Sequence, residues 1–201
     1  MPSQDHKDSR HKARQQKVKE AVDKKIAAAQ IEKGLLLVIT GDGKGKSTAG
    51  FGVITRAIGH GQRCGVAQFI KGTWDNGEKN VLARLGVEFH VMATGFTWNT
   101  QDKAGDTLAA QKVWQECLRM LADEMIDVIL LDELTYMVLY DYIDLDEVLT
   151  ALENRPPNQS VVITGRAAHR RIIEAADTVS EVKSIKHAFD SGIKARKGID
   201  W

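Results

Sequence analysis

Nine consecutive residues, Thr40-Gly41-Asp42-Gly43-Lys44-Gly45-Lys46-Ser47-Thr48, carry the clearest chemical signal in the chain. They directly follow an apolar, β-prone run and directly precede a helical pattern, the context in which a glycine-rich loop cradles phosphate. Glycines let the backbone curl so that successive N–H groups face phosphate oxygens. Lys46 adds a positive charge, and the helix opening at Ser47 directs its positive dipole end at the anion. The Ser47 hydroxyl is placed to ligate Mg²⁺. Gly41, Asp42, Gly43, Lys44, Gly45, Lys46, Ser47 and Thr48 are therefore the expected ATP-binding set. The spacing is a variant: the usual pattern leaves four residues between its two glycines. Counting back from Gly45, that position is Thr40, with Gly41 one residue too close.

A second element matches the first. Val128–Leu131 is an apolar strand-like run that ends in Asp132 and Glu133. Such strand ends sit beside the nucleotide's metal in phosphate-loop proteins, and oxygen donors suit a hard cation. Ser47 and Glu133 are the expected metal ligands, for Mg²⁺ with Mn²⁺ able to substitute. Two arginines are further nucleotide-binding candidates. Arg56 lies two to three turns into the helix after the loop, and Arg166 follows the run ending at Thr164-Gly165. That places Arg166 at the carboxyl end of a strand, where ligands gather in open α/β sheets. Phe96 and Trp98 alternate within Thr94-Gly95-Phe96-Thr97-Trp98-Asn99. Alternating aromatics after a strand are usually core, whereas the polar neighbours here point to a loop. The six histidines are scattered, and no kinase-type HRD motif occurs. The loop alone leaves the reaction open among γ-phosphoryl transfer by a kinase or ATPase, binding without turnover in a regulatory module, and other chemistry on ATP.

The elements that must hold these residues follow from periodicity. Leu35–Thr40, Arg63–Ile70, Val87–Met92, Val128–Asp132 and Ser160–Thr164 are β-prone runs, apolar at successive positions, and Thr178–Val182 is a weaker sixth. Runs of that kind suit strands covered on both faces. Helical patterns lie between them at Ser47–Ile58, Glu78–Leu85, Asp102–Met125, Asp146–Glu153 and Ala168–Ala176. The alternation predicts a doubly wound α/β domain with a mostly parallel six-stranded sheet and helices on both faces, and with the phosphate loop the expected class is P-loop NTPase-like (RecA-like).

Composition sets the remaining bounds. The 201 residues suffice for one well-buried domain, and with 43% hydrophobic and 27% charged residues the balance is globular. No run approaches the roughly 20 apolar residues of a membrane span. Residues 1–25 show no signal-peptide pattern, so a cytoplasmic location with no membrane contact is expected. Residues 1–33 hold nine Lys/Arg against five Asp/Glu, a net +4, which leaves −3 for the rest of a chain whose total is +1. This arm carries a helical pattern over Gln15–Ile31 with Val18, Ala21, Val22 and Ile26 near one face. Basic charge without interleaved aromatics argues against nucleic acid. The domain division expected is thus a basic arm over 1–33 and an α/β domain over 34–201. Cys64 and Cys117 are too far apart in sequence for a CxxC pair and are read as packed thiols.

Five stretches in order carry a family resemblance. Gly41–Thr48, Gly95-Phe96-Thr97-Trp98, Leu131-Asp132-Glu133-Leu134-Thr135-Tyr136, Ile163-Thr164-Gly165-Arg166 and Lys186-His187-Ala188-Phe189-Asp190 resemble the bacterial ATP:corrinoid adenosyltransferases, over about residues 34–201. Asp42 stands where asparagine is the readier expectation, and an acid there must turn from the phosphates or face the metal. The resemblance implies transfer of the 5′-deoxyadenosyl group of ATP to the Co(I) centre of a reduced corrinoid, with release of triphosphate, in adenosylcobalamin biosynthesis and corrinoid salvage. It implies ATP bound in reverse of the ordinary orientation, and a catalytic set of Lys46, Phe96 and Trp98. In similar enzymes the aromatic pair packs on the corrin and displaces the lower cobalt ligand, so Phe96 and Trp98 are the implied corrinoid-binding residues. A reduced flavoprotein as electron donor and a homodimer are implied as well.

Overall fold

The computed structural model describes residues 4–70, 75–92 and 102–200. Residues 1–32 form one compact unit and 33–201 another. The first is a single helix, α1 (Gln4–Ala28). It begins eleven residues before the amphipathic pattern and ends three residues short of it. Polar residues along its length exchange contacts one turn apart, Lys19 with Asp23 at 2.6 Å and Gln16 with Glu20 at 2.9 Å, of the kind that supports helices lacking a buried face. Val18, Val22 and Ile26 are exposed.

The second unit is built on a six-stranded sheet: β1 (Leu36–Thr40), β2 (Cys64–Gln68), β3 (Glu88–Val91), β4 (Val128–Asp132), β5 (Ser160–Thr164) and β6 (Thr178–Glu181). The order is β3-β2-β4-β5-β1-β6 and every pairing is parallel. The expected P-loop NTPase-like sheet is present, with β5 lying between the loop-bearing β1 and the acid-bearing β4. β2 and β4 are buried at every position, whereas edge strands β3 and β6 are half-buried and exposed.

Alternating side chains of the inner strands feed two cores, as the two-residue period of a strand requires. On one face Ile39, Val66, Leu130 and Val162 meet Phe51, Ile54 and Ala57 of α2 (Lys46–Gly59) and Leu82 of α3 (Gly77–Leu82). On the other, Val38, Ala67, Ile129, Leu131 and Ile163 pack with four helices. These are α4 (Lys103–Leu121), α5 (Leu134–Leu139), α6 (Leu145–Glu153) and α7 (Arg170–Ala175), contributing Trp114, Met137, Leu152 and Ile172 among others. Cys64 and Cys117 are buried free thiols. Burial, helped by nearby Asp127, pushes Cys64 up to about 11, and burial raises Cys117 further.

Helix α5 has no counterpart in the sequence pattern, because Leu134–Leu139 continues the apolar run of β4 without a capping residue. Its start is set by the backbone instead: Glu133 takes φ 62°, a left-handed conformation that reverses the chain at the strand end. Helix α4 stops at Leu121, four residues before the pattern ends, where Ala122 and Asp123 close the last turn onto Leu118 and Met120.

Candidate functional site

Every strand except β3 ends in a polar residue: Gln68, Asp132, Thr164, Thr40 and Glu181. They mark the carboxyl edge of the sheet, and a cleft of about 1050 Å³ opens there. Its polar floor is Gly43–Thr48, Glu133 and Arg166. Its apolar side is formed by Ile70, Val81, Leu82, Leu85, Tyr136 and Tyr140.

The glycines of the loop have distinct reasons. A Cβ on Gly41 would come within 2.5 Å of the Val182 carbonyl oxygen, and one on Gly43 within 2.7 Å of the Lys183 backbone. The chain leaving β6 therefore lies directly against the loop, and the Gly43 N–H donates to the Val182 carbonyl at 2.7 Å. Gly45 instead has open space around it and a φ of 120°, which L-residues rarely adopt. The early glycine that breaks the usual spacing is thus required by packing against the chain after β6.

Lys46, the first residue of α2, is only 6% exposed, and its Nζ donates to the Gly43 carbonyl at 2.9 Å. Burial lowers its affinity for the proton, and Arg166 lowers it further. Glu133, Asp42 and Asp132 pull the other way without reversing the shift. A cation held short of full compensation is poised to gain from an incoming polyanion. Glu133 lines the cleft from its left-handed turn, with its N–H fixed by the Thr164 hydroxyl at 3.0 Å. Asp132 is fully buried. It accepts from Thr164 Oγ1 at 2.7 Å and from Gln68 Nε2 at 3.0 Å, so both carboxylate oxygens are engaged inside the protein. Of the acid pair, Glu133 is the one presented to a ligand. Arg166 is exposed on the cleft, and its carbonyl accepts from the Thr135 hydroxyl at 2.7 Å.

The structure brings together Gly43, Lys44, Gly45, Lys46, Ser47, Thr48, Glu133 and Arg166. Gly41 and Asp42 precede the part of the loop that lines the cleft. Arg56 sits on the exposed side of α2 in its last turn, and Thr55 takes the cleft-facing position beside it. Phe96 and Trp98 lie outside the described residues. Oxygen donors from Ser47 and Glu133, at the mouth of the loop beside Lys46, fit a hard divalent cation.

Several lining residues were given no site role by sequence reasoning. Tyr136 of α5 and Tyr140, which caps its end, are one turn apart and stacked at 5.9 Å, and both line the cleft. Burial raises the Tyr136 hydroxyl's proton affinity, and Glu133 adds to it. From the C-terminal segment come His187 and Asp200, the latter 2.7 Å from Lys44. Glu88, His90 and Glu116 also converge, away from the cleft. The Arg119 guanidinium already bridges the two carboxylates of this group, with Nε 2.9 Å from Glu116. It is an ion network joining β3 to α4.

Residues 32–201 match the family model described as ATP:corrinoid adenosyltransferase BtuR/CobO/CobP, and residues 1–26 match Cob(I)alamin adenosyltransferase N terminal. The chain is 61% identical over 194 residues to the corrinoid adenosyltransferase of Escherichia coli (strain K12), covering 96% of this chain and 99% of that one. Over the same shares it is 59% identical to the corrinoid adenosyltransferase CobA of Salmonella typhimurium. The corrinoid adenosyltransferase of Pseudomonas aeruginosa is 46% identical over the full length of both chains.

Proposed function

The chain belongs to the ATP:corrinoid adenosyltransferase family, its activity is the ATP-dependent adenosylation of a corrinoid, and we propose that it performs this reaction in the cleft at the carboxyl edge of the sheet. The observation that carries the placement is the pairing, in one cavity, of a buried lysine in a glycine loop with a broad apolar, tyrosine-bearing wall. A triphosphate suits the first and a corrin the second.

The corrinoid enters as substrate with reduced cobalt as the nucleophile. Its electron pair forms the bond to C5′ of ATP while the C5′–O bond breaks, and that pair leaves on the triphosphate. No serine, cysteine or general base of the protein is needed for such a step. The protein's tasks are to hold C5′ in line with the cobalt, to stabilise the charge gathering on the leaving oxygen, and to exclude water. Lys46, Arg166 and the N–H groups of the first turn of α2 serve the second task. Gly43 takes no part, since its N–H is committed to Val182. Ser47 and Glu133 would hold Mg²⁺, with Mn²⁺ able to replace it, and the ion would supply further charge to the triphosphate. A reversed ATP, with its γ-phosphate in the usual α position, would leave triphosphate in the loop and turn C5′ toward the apolar wall.

Phe96 and Trp98 take the role of packing on the corrin and displacing the lower ligand. Removing that donor lowers the orbital that accepts the electron and so eases reduction of Co(II). The electron comes from a reduced flavoprotein. The protein acts as a cytoplasmic homodimer whose residues 1–33 contribute to corrinoid binding. Among the described residues no helix is long and apolar enough to cross a membrane. The test is product identity under anaerobic conditions with ATP, Mg²⁺ and chemically reduced corrinoid. A cobalt–carbon product with one triphosphate per turnover is expected; ADP or orthophosphate as the primary product would refute the mechanism.

A further inference from the structure

We propose that Gln68 is a positioning residue that ties the apolar wall of the cleft to its triphosphate end, through a buried hydrogen-bond chain running Thr164–Asp132–Gln68–Asn76. The proposal rests on the reading above, in which triphosphate occupies the loop and the corrinoid lies against the apolar wall.

Gln68, Asp132 and Thr164 end three adjacent strands, β2, β4 and β5, and all are fully buried. Gln68 lies opposite Asp132 in the strand register. Thr164 Oγ1 donates to Asp132 Oδ1 at 2.7 Å, and Gln68 Nε2 donates to Asp132 Oδ2 at 3.0 Å. Asn76 Nδ2 then donates to Gln68 Oε1 at 2.5 Å. Asn76 is the N-cap of α3, and its Oδ1 accepts from the Lys79 N–H at 3.2 Å. Helix α3 and the turn after it present Glu78, Val81, Leu82 and Leu85 to the cleft.

The chain has a fixed polarity. Both Asp132 oxygens accept, so Gln68 turns its NH₂ inward and its oxygen toward Asn76. Only a donor satisfies that oxygen, so Asn76 must turn its NH₂ to Gln68 and its oxygen to the start of α3. A single buried carboxylate thereby dictates the orientation of two amides and the seat of a short helix. The other arm of the same network reaches the nucleotide side, where Thr164 Oγ1 accepts from the Glu133 N–H in its left-handed turn. Both halves of the cleft are referred to one carboxylate, and the distance from leaving group to corrinoid is set by it.

Two variants cut the link at different points. Gln68→Met keeps the approximate length of the side chain and removes both the NH₂ donor and the carbonyl acceptor. Asn76→Asp, at a half-buried position, still caps α3 but offers no donor to Gln68. With reduced corrinoid supplied directly, each should raise the corrinoid KM by about three- to tenfold, the worth of a lost hydrogen bond. The ATP dissociation constant, measured by equilibrium binding without corrinoid, should stay within about twofold for the same reason. A merely structural role would lower the melting temperature and weaken both substrates together. An unchanged corrinoid KM in folded Asn76→Asp, or ATP affinity falling in step with it, overturns the proposal, and that variant decides alone if Gln68→Met does not fold. The unsubstituted protein is the control that separates the two claims. If it binds ATP and forms no cobalt–carbon product, the reading of the cleft fails first.

Discussion

Replacing Lys46 by Met separates what the residue does for ATP from what it does for the fold. The residue is only 6% exposed, and its Nζ donates to the Gly43 carbonyl. Burial outweighs the attraction of Glu133, Asp42 and Asp132, so the ligand-free site holds the charge at a net cost. Met keeps the apolar stem and removes that charge. The lost bond to Gly43 and the relief of burial oppose each other, and stability should change by no more than about 1 kcal/mol. ATP loses a charge-assisted contact worth roughly 1.5–3 kcal/mol, which is about a 10- to 150-fold loss of affinity. The pH dependence carries the same signature. Between Lys46's lowered pKa and the ordinary lysine value, the unfolded chain binds a proton that the folded chain lacks. The contribution of Lys46 to stability therefore rises with pH across that window. ATP affinity falls across the same window, because the ammonium is being lost. Calorimetric ATP binding and thermal melts at several pH values, on both proteins, measure the two slopes, and the Met variant should lack both. Near-normal ATP affinity in a folded Lys46→Met protein would refute the reasoning.

Three further outcomes are expected. Glu133→Gln keeps the shape of the side chain and removes its charge, so the Mg²⁺ concentration for half-maximal rate should rise with the fold intact; an unchanged metal titration would take Glu133 out of the metal set. Phe96→Ala and Trp98→Ala should stay folded and fail chiefly with Co(II) corrinoid plus donor, with much of the rate restored by pre-reduced Co(I). Equal losses in both assays, with the roughly 3–5 kcal/mol destabilisation of an emptied core, would assign the pair to packing. Removing residues 1–32, which leaves the Lys33–Asp177 pair at 2.5 Å in place, should weaken corrinoid binding more than ATP binding and spare the melt. Full activity at an unaltered corrinoid KM would deny the arm that role.

The sheet was legible because its inner strands are covered on both faces and therefore read as unbroken apolar runs. Val128–Asp132 and Ser160–Thr164 match their strands residue for residue. The phosphate loop was legible because strand, turn and helix adjoin in sequence, and Glu133 because it follows the apolar run of β4. Arg56 shows where phase decides: one residue is about 100° around a helix, and Thr55 rather than Arg56 meets the cleft. Tyr136 and Tyr140 were hidden by Glu133, whose positive φ turns an apparently continuous apolar run into a new helix. Asp200 comes back to Lys44 from 156 positions along the chain. No local pattern encodes such a return. The role of Gln68 was likewise hidden, because a glutamine ending a strand acquires meaning only when Asp132 and Asn76 lie on either side of it.

The central claim is that the cleft breaks ATP at C5′ and leaves the three phosphates joined. The most direct measurement uses ATP labelled with ¹⁸O at the C5′–Oα bridge, incubated anaerobically with reduced corrinoid and the enzyme. Attack at C5′ predicts that the label leaves with intact triphosphate while the corrinoid gains a photolabile cobalt–carbon bond. Label retained on the adenosine side, or ATP cleaved to ADP and phosphate before any cobalt–carbon bond forms, would contradict it.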